Sequence, residues 1–229
     1  MQLKNNDDIA NYYDSLTLDY GERSETQGLS LDNPYPFAYM AKKWFFCGLP
    51  FYINKHVLVP RADTESLINC IPQGDFSVLD LCTGSGCIAI ALAKKGFTRI
   101  SASDICAKAL KVAKKNARLN KVKVHFIQSD LFESIKGQFD IIVCNPPYIK
   151  TNELGKYDKS TLHEPKIALD GGADGLDFYR KIISQANCKQ IFFEVGDKLQ
   201  AEQVKTLLHN ANFCDITIIG NHIIHARKT

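Results

Sequence analysis

The chain has 229 residues, 45% of them hydrophobic and 23% charged, with a formal charge of +3. That length accommodates one substantial domain plus a small appendage, and so mild a charge gives no special support to a polyanionic partner. Residues 1–8 are polar and lack a signal-peptide core, and no apolar run approaches the roughly 18–20 residues that span a bilayer. A soluble, cytoplasmic protein with no membrane association is expected. None of the eight cysteines forms a C-x-x-C pair. Cys82, Cys87, Cys144 and Cys214 lie in apolar runs and read as reduced, core-filling thiols. The six histidines show no metal-ligand spacing, so no metal is expected.

Residues 1–33 read as a polar N-terminal extension, with a short helix over 11–18 and a loop over 21–30. Residues 34–60 form an aromatic-rich lead-in. A helix ends near 37–40, and a short antiparallel pair, 44–46 with 50–53, turns around Cys47-Gly48-Leu49. From residue 61 to 229 strand and helix patterns alternate. Strands are predicted over 78–81, 99–103, 123–128, 139–144 and 190–195, and helices over 88–95, 107–119, 176–186 and 199–210. A closing hairpin, 215–219 with 222–226, turns at Gly220-Asn221. Parallel neighbours need crossovers, and right-handed crossovers cover both sheet faces. The fold class is therefore α/β, a doubly wound Rossmann-like sheet. With its terminal β-hairpin it suits the seven-stranded class I adenosylmethionine-dependent methyltransferases.

Two motifs carry the chemistry. After the first main-domain strand come Asp80-Leu81-Cys82-Thr83-Gly84-Ser85-Gly86, where glycines let the backbone turn sharply and approach a ligand. Asp104 closes the next strand, the position of an acid that accepts from ribose hydroxyls. A glycine turn alone is often only a tight connection. Here Cys87-Ile88-Ala89 follows in place of the third dinucleotide-binding glycine. Together with Asp80, that tail points to S-adenosyl-L-methionine rather than a pyrophosphate.

The second motif, Asn145-Pro146-Pro147-Tyr148, follows the fourth strand, which flanks the same crevice as the first. The prolines fix φ and hold Asn145 and the Pro146 carbonyl rigidly. An amide or exocyclic amine is a poor nucleophile because its lone pair is delocalised. Its two N–H groups can donate to the Asn145 side-chain oxygen and the Pro146 carbonyl while Tyr148 stacks on the planar group. The plainer reading, Pro-Pro as a strand stop, loses weight once the glycine loop is counted.

Further motifs make a resemblance specific. The run from His56 through Val59-Pro60-Arg61-Ala62-Asp63-Thr64-Glu65, then Glu164-Pro165-Lys166 and Gly171-Gly172-Ala173-Asp174-Gly175, resembles the HemK/PrmC-type peptide chain release factor N5-glutamine methyltransferases, from about residue 34 onward. The resemblance implies that Thr83, Gly84, Ser85, Gly86 and Asp104 bind adenosylmethionine, with Asp80, Asp130, Leu131 and Asn145 beside them. It implies that Asn145, Pro146 and Tyr148 are the catalytic set, holding the glutamine amide together with Pro147. Arg61, Thr64 and Glu65 would support the substrate mouth. The implied partner is a class I release factor, methylated in its Gly-Gly-Gln loop, and nucleic acid is not expected as a direct substrate. The Asp63-Thr64-Glu65 triplet favours this branch over the ribosomal-protein glutamine methyltransferases. Cys82 and Leu131 depart from the family's usual glycine and aromatic residue, and the N-terminal extension is shorter than the helical domain normally found there.

Other features are read modestly. Lys108, Lys111, Lys114, Lys115 and Arg118 share one helix face, ordinarily a solvated surface. The segment 150–174 is expected to wall or cover the substrate. Two other functions stay open, an adenine-N6 methyltransferase on RNA or DNA and a binding module that has kept only the fold.

Overall fold

The computed structural model describes residues 36–157 and 161–228; the extension 1–33 and its expected helix lie outside them. A short helix α1 (Phe37–Ala41) leads to the hairpin β1 (Trp44–Phe46) and β2 (Leu49–Phe51). Helix α2 (Ala62–Cys70) follows, then β3 (Ser77–Leu81), α3 (Cys87–Lys94), β4 (Arg99–Asp104), α4 (Ala107–Leu119), β5 (His125–Gln128) and β6 (Phe139–Cys144). The chain closes with α5 (Asp177–Gln185), β7 (Cys188–Glu194), α6 (Lys198–Asn210), β8 (Phe213–Ile219) and β9 (Ile223–Lys228). The main sheet has seven strands in the order β5-β4-β3-β6-β7-β9-β8. β9 runs antiparallel to both its neighbours, while β5 through β7 are parallel. This is the seven-stranded, Rossmann-like methyltransferase sheet with its terminal hairpin.

Alternation along the strands assigns each side chain to a face. Val78, Ile141 and Val143 pack under α2, α3 and α4. Leu79, Ile142, Ile191 and Phe193 pack under α5 and α6. The lead-in joins the first of these cores through Phe46, Phe51, Ile53, Val57 and Val59, so the expected boundary at 60/61 marks no break in packing. Among the described residues no helix is long and apolar enough to cross a membrane.

Three local expectations are corrected. Phe46 pairs with Leu49, so the first hairpin turns on two residues and its second strand is Leu49–Phe51. Cys47 and Gly48 both have positive φ, 52° and 71°, as a two-residue type I′ turn requires. The helix Ala62–Cys70 was not anticipated, because only Leu67 and Ile68 in it are buried large apolar residues and the periodic signal is thin. β5 begins at His125 rather than 123.

Register sets up the site. Leu81 pairs with Cys144 across β3 and β6, so the loops that follow these strands leave the sheet side by side. β3 has β4 on its other flank, which makes the β3/β6 gap the topological switch point where such sheets bind ligands.

Candidate active site

The loop after β3 turns on three residues of positive φ, Cys82 (60°), Gly84 (53°) and Gly86 (82°). At Gly86 a Cβ would come 3.1 Å from the Ala113 Cβ, so the small residue lets α3 start tightly against α4. At Gly84 a Cβ would meet nothing within 4 Å; there the glycine serves the left-handed backbone and an open approach. The Gly84 N–H donates to Asp104 Oδ2 at 2.8 Å, and the Cys106 N–H donates to Asp104 Oδ1 at 2.8 Å. Burial raises the Asp104 pKa above the usual carboxylate range, opposed by those two N–H groups.

Asp80 is completely buried. Its Oδ2 accepts from the Thr83 hydroxyl at 2.5 Å and the Ala89 N–H at 3.1 Å, while Oδ1 has no partner. Desolvation pushes its pKa up to about 7. An orphaned buried carboxylate oxygen is costly.

A cavity of about 220 Å³ opens over this loop, lined by Gly84, Asp104, Asp130, Leu131 and Asn145 with Ile167 above. Asp80, Thr83, Ser85 and Gly86 stand behind the wall. They shape the loop rather than face the space. Asn116 belongs with them: its Nδ2 donates to the Ser85 and Tyr52 carbonyls at 2.9 and 3.0 Å, and its Oδ1 accepts from the Tyr52 N–H at 2.7 Å. This fully buried amide joins the glycine loop to the lead-in, and on the lysine-rich α4 it reads from sequence as one more polar residue. The cavity lining fits adenosylmethionine: Asp104 for hydroxyls, and Leu131, Ile105 and Ala109 for a purine face.

A second cavity of about 320 Å³ adjoins the first, lined by Arg61, Tyr148, Tyr157 and Leu169 and sharing Asn145, Leu58 and Ala168 with it. Asn145 thus stands at the junction of the two. Its Nδ2 donates to Thr64 Oγ1 at 3.2 Å. Pro146 is buried and lines neither cavity, whereas Pro147 faces the first. Tyr148 is held by burial well above its usual pKa and stays a neutral phenol.

Distant glycines fix this loop. A Cβ at Gly171 would fall 2.7 Å from Tyr148 Cα and 2.8 Å from the Pro147 carbonyl oxygen. At Gly175 it would fall 2.5 Å from the Tyr148 oxygen. That oxygen accepts from Gln200 Nε2 at 3.0 Å. The described residues of the segment 150–174 include three short 3₁₀ turns, Thr151–Lys156, Thr161–His163 and Lys166–Ala168, and wall the two cavities through Tyr157, Thr161, Pro165, Ile167, Ala168 and Leu169. Its anchor is Glu164, whose buried carboxylate accepts from the Val59 N–H at 2.9 Å and pairs with Arg61.

Of the residues expected at the substrate mouth, Arg61 lines the second cavity. Thr64 is buried behind Asn145. Glu65 is not brought to the site: its Oε1 accepts from the Cys47 N–H at 2.6 Å, tying α2 to the β1–β2 turn.

Comparison with known proteins adds a family. Residues 61–164 match the model of the methyltransferase small domain. The release factor glutamine methyltransferase of Flavobacterium psychrophilum is 40% identical over 85% of this chain and 74% of its own length. The chain belongs to the release factor glutamine methyltransferase family. The Borreliella burgdorferi enzyme of the same name is 39% identical over 79% of this chain and 66% of its own length. Among solved structures, the human Mettl16 catalytic domain, crystallised with an RNA hairpin, superposes with a TM-score of 0.64. It is 19% identical over 95% of this chain and 90% of its own; at that identity the likeness is one of fold. Membership makes the chain a class I adenosylmethionine-dependent methyltransferase.

Proposed function

We propose that this chain methylates the side-chain amide nitrogen of a protein glutamine, that of the Gly-Gly-Gln loop of class I peptide chain release factors, in the cytoplasm. The observation that carries the reading is the position of Asn145, which borders both the cavity over the glycine loop and the cavity beside Tyr148. A group seated in the second cavity is presented to whatever occupies the first. The names of the relatives supply the substrate class, and the resemblance through Asp63-Thr64-Glu65 supports the release-factor branch.

Bound adenosylmethionine supplies a methyl group on a sulfonium, already activated for transfer. The chain's own task is to orient a weak nucleophile. Asn145 Oδ1, at the junction of the two cavities, accepts one amide N–H, which aims the nitrogen and stabilises the positive charge it gains; the resemblance gives the other N–H to the Pro146 carbonyl, although Pro146 itself lines neither cavity. Tyr148 packs on the planar amide. The proton leaves after methyl transfer, so no strong base is needed beforehand.

An adenine amine could be held by the same acceptors. Against that reading stands the placement of basic charge. Arg99, Lys114, Arg118 and Lys123 line a groove where β4 and β5 begin, at the opposite end of the parallel strands from Asn145. A phosphate backbone on those cations would not bring a base to the cleft.

The test is transfer of labelled methyl from adenosylmethionine to a release factor, to the same factor with its loop glutamine changed to alanine, to a ribosomal protein and to RNA. Label only on the intact release factor is expected. Label on the alanine variant, or on RNA or the ribosomal protein alone, would overturn the proposal. Asn145→Ala should abolish transfer while cofactor affinity stays within a few-fold.

A further inference from the structure

Helix α4 has one buried side and one charged side. Ala109, Leu110, Val112, Ala113 and Ala117 pack inward. Lys108, Lys111, Lys114, Lys115 and Arg118 are exposed, as are Lys121 and Lys123 on the way to β5. From Ala107 to Gln128 the chain thus carries seven of its 28 lysines and arginines and none of its 25 acids. Elsewhere acids outnumber bases, so the mild net charge conceals a concentrated cationic unit. None of the seven forms an ion pair among the described residues.

A face that is only solvated ordinarily interleaves acids with bases, because opposite charges one turn apart add stability and like charges subtract it. Here Lys111 with Lys115 and Lys114 with Arg118 are like-charge pairs four residues apart. Lys108 stands in the first turn, where it opposes the helix dipole and no acid offsets it. A bound polyanion relieves those costs.

The cations also border a concavity. A groove of about 710 Å³ runs where β4 and β5 begin, lined by Lys114, Arg118 and Lys123 with the half-buried Phe126 and Phe139. Arg99 lines it too, but Asp75 and Asp140 neutralise it at 3.2 and 3.7 Å. Cations set among aromatic rings suit a single strand of nucleic acid, the charges following its phosphates and the rings stacking on its bases. An acidic peptide would engage the charges and leave the rings unused.

We propose that this face of α4 and β5 is a docking surface for single-stranded RNA, which it holds by the phosphate backbone and does not methylate. The groove lies at the opposite end of the parallel strands from Asn145. A strand held there leaves both cavities open to the protein substrate. The choice of RNA over DNA rests on the reading above, in which that substrate serves translation.

The test titrates the full chain, by fluorescence anisotropy, into a labelled mixed-sequence RNA strand of about 20 nucleotides, DNA of the same sequence and a polyglutamate peptide of the same length. RNA should bind in the micromolar range at low salt, no more weakly than DNA and at least tenfold more tightly than the peptide. Changing Lys114, Arg118 and Lys123 together to Gln should weaken RNA binding roughly 30-fold. The slope of log K against log salt should become shallower by about 2, since each phosphate contact on a single strand contributes about 0.7. Changing Lys136, Lys198 and Lys205 to Gln removes the same charge elsewhere and should alter affinity less than threefold. The groove cations are exposed and unpaired, so the groove variant should keep the wild-type Tm and methyl-transfer rate. If it unfolds nonetheless, Arg118→Gln alone must still lower the slope by about 0.7.

No RNA binding by wild type, or equal weakening in the groove and control variants, overturns the proposal. Peptide bound as tightly as RNA would assign the face to an acidic protein segment, and DNA bound tenfold more tightly than RNA would remove RNA as the partner. Label transferred to the bound RNA would make it a substrate rather than an anchor. A release factor that accepts no methyl refutes the glutamine reading alone, because RNA binding is read without it.

Discussion

The loops after β3 and β6 leave the sheet side by side, yet they are held in opposite ways. The Asp80–Gly86 loop is secured mainly from its own βαβ unit: Asp80 to Thr83 and Ala89, and Gly84 to Asp104. The Asn145–Tyr148 loop is secured from far along the chain, by Thr64 before it and by Gly171, Gly175 and Gln200 after it. A locally secured loop can bind its ligand whatever happens at the substrate wall. A loop secured from a distance ties orientation of the nucleophile to packing of the whole C-terminal half. Mutations should accordingly separate cofactor affinity from turnover.

The sharpest way to break that separation is at Gly171. An alanine there puts its Cβ 2.7 and 2.8 Å from backbone atoms of Tyr148 and Pro147, and backbone cannot swing aside as a side chain can. The loop must move, and displacements near 1 Å in a positioned group cost about a hundredfold. Gly171→Ala is expected to lower kcat by that order while the cofactor dissociation constant, measured by calorimetry, changes less than threefold. Equal losses in both would mean that the loops are not independently held.

Asp104→Ala tests the other side. It removes a carboxyl acceptor from the first cavity and releases the Gly84 N–H. Hydrogen bonds to charged groups contribute about 1.5–3 kcal/mol, so cofactor affinity should fall roughly ten- to a hundredfold. At saturating cofactor kcat should recover to within about fivefold of wild type. A kcat that stays collapsed at saturation would place Asp104 in the chemistry rather than in binding.

A smaller effect is expected at Glu164, which fastens the wall to the lead-in through Val59 and Arg61. Arg61 is 39% exposed, and solvent screening leaves the ion pair worth little. The Val59 N–H bond to a buried carboxylate matters more. Glu164→Gln should cost about 1 kcal/mol of stability and raise the KM for the protein substrate a few-fold, with cofactor binding unchanged. An unchanged KM would detach the wall from substrate recognition.

The same contrast explains what could be read from sequence. The glycine loop, Asp104 and the strand–helix alternation announce themselves because their determinants are neighbours in the chain and repeat with a period. Asn145-Pro146-Pro147-Tyr148 is equally visible as a motif. Its support is not: Gln200 looks like a helix surface residue, just as Asn116, which holds the glycine loop, looks like part of a solvated lysine face. Each is buried only because a distant segment folds over it, and no local pattern encodes that. Gly171 and Gly175 were visible as a motif, but their reason, contact with the Tyr148 backbone, emerges only in three dimensions. Glu65 erred the other way, because adjacency to Thr64 in sequence is not adjacency to the cleft.

The smallest effect is one of pH on the cofactor side. Burial raises Asp80 to about 7, so the free protein holds it protonated in mild acid. For a carboxyl raised in this way, the stability it contributes is full below its unfolded pKa and is lost as pH rises through about 7. Asp80→Asn should flatten that dependence and raise Tm at pH 8, where the buried charge is most costly, while the cofactor dissociation constant changes less than threefold, because the carboxylate is fully buried behind the cavity wall. A stability that still falls between pH 6 and 8 in Asp80→Asn would assign the slope to another buried acid, and Asp104, whose pKa burial also raises, would be the next residue to change.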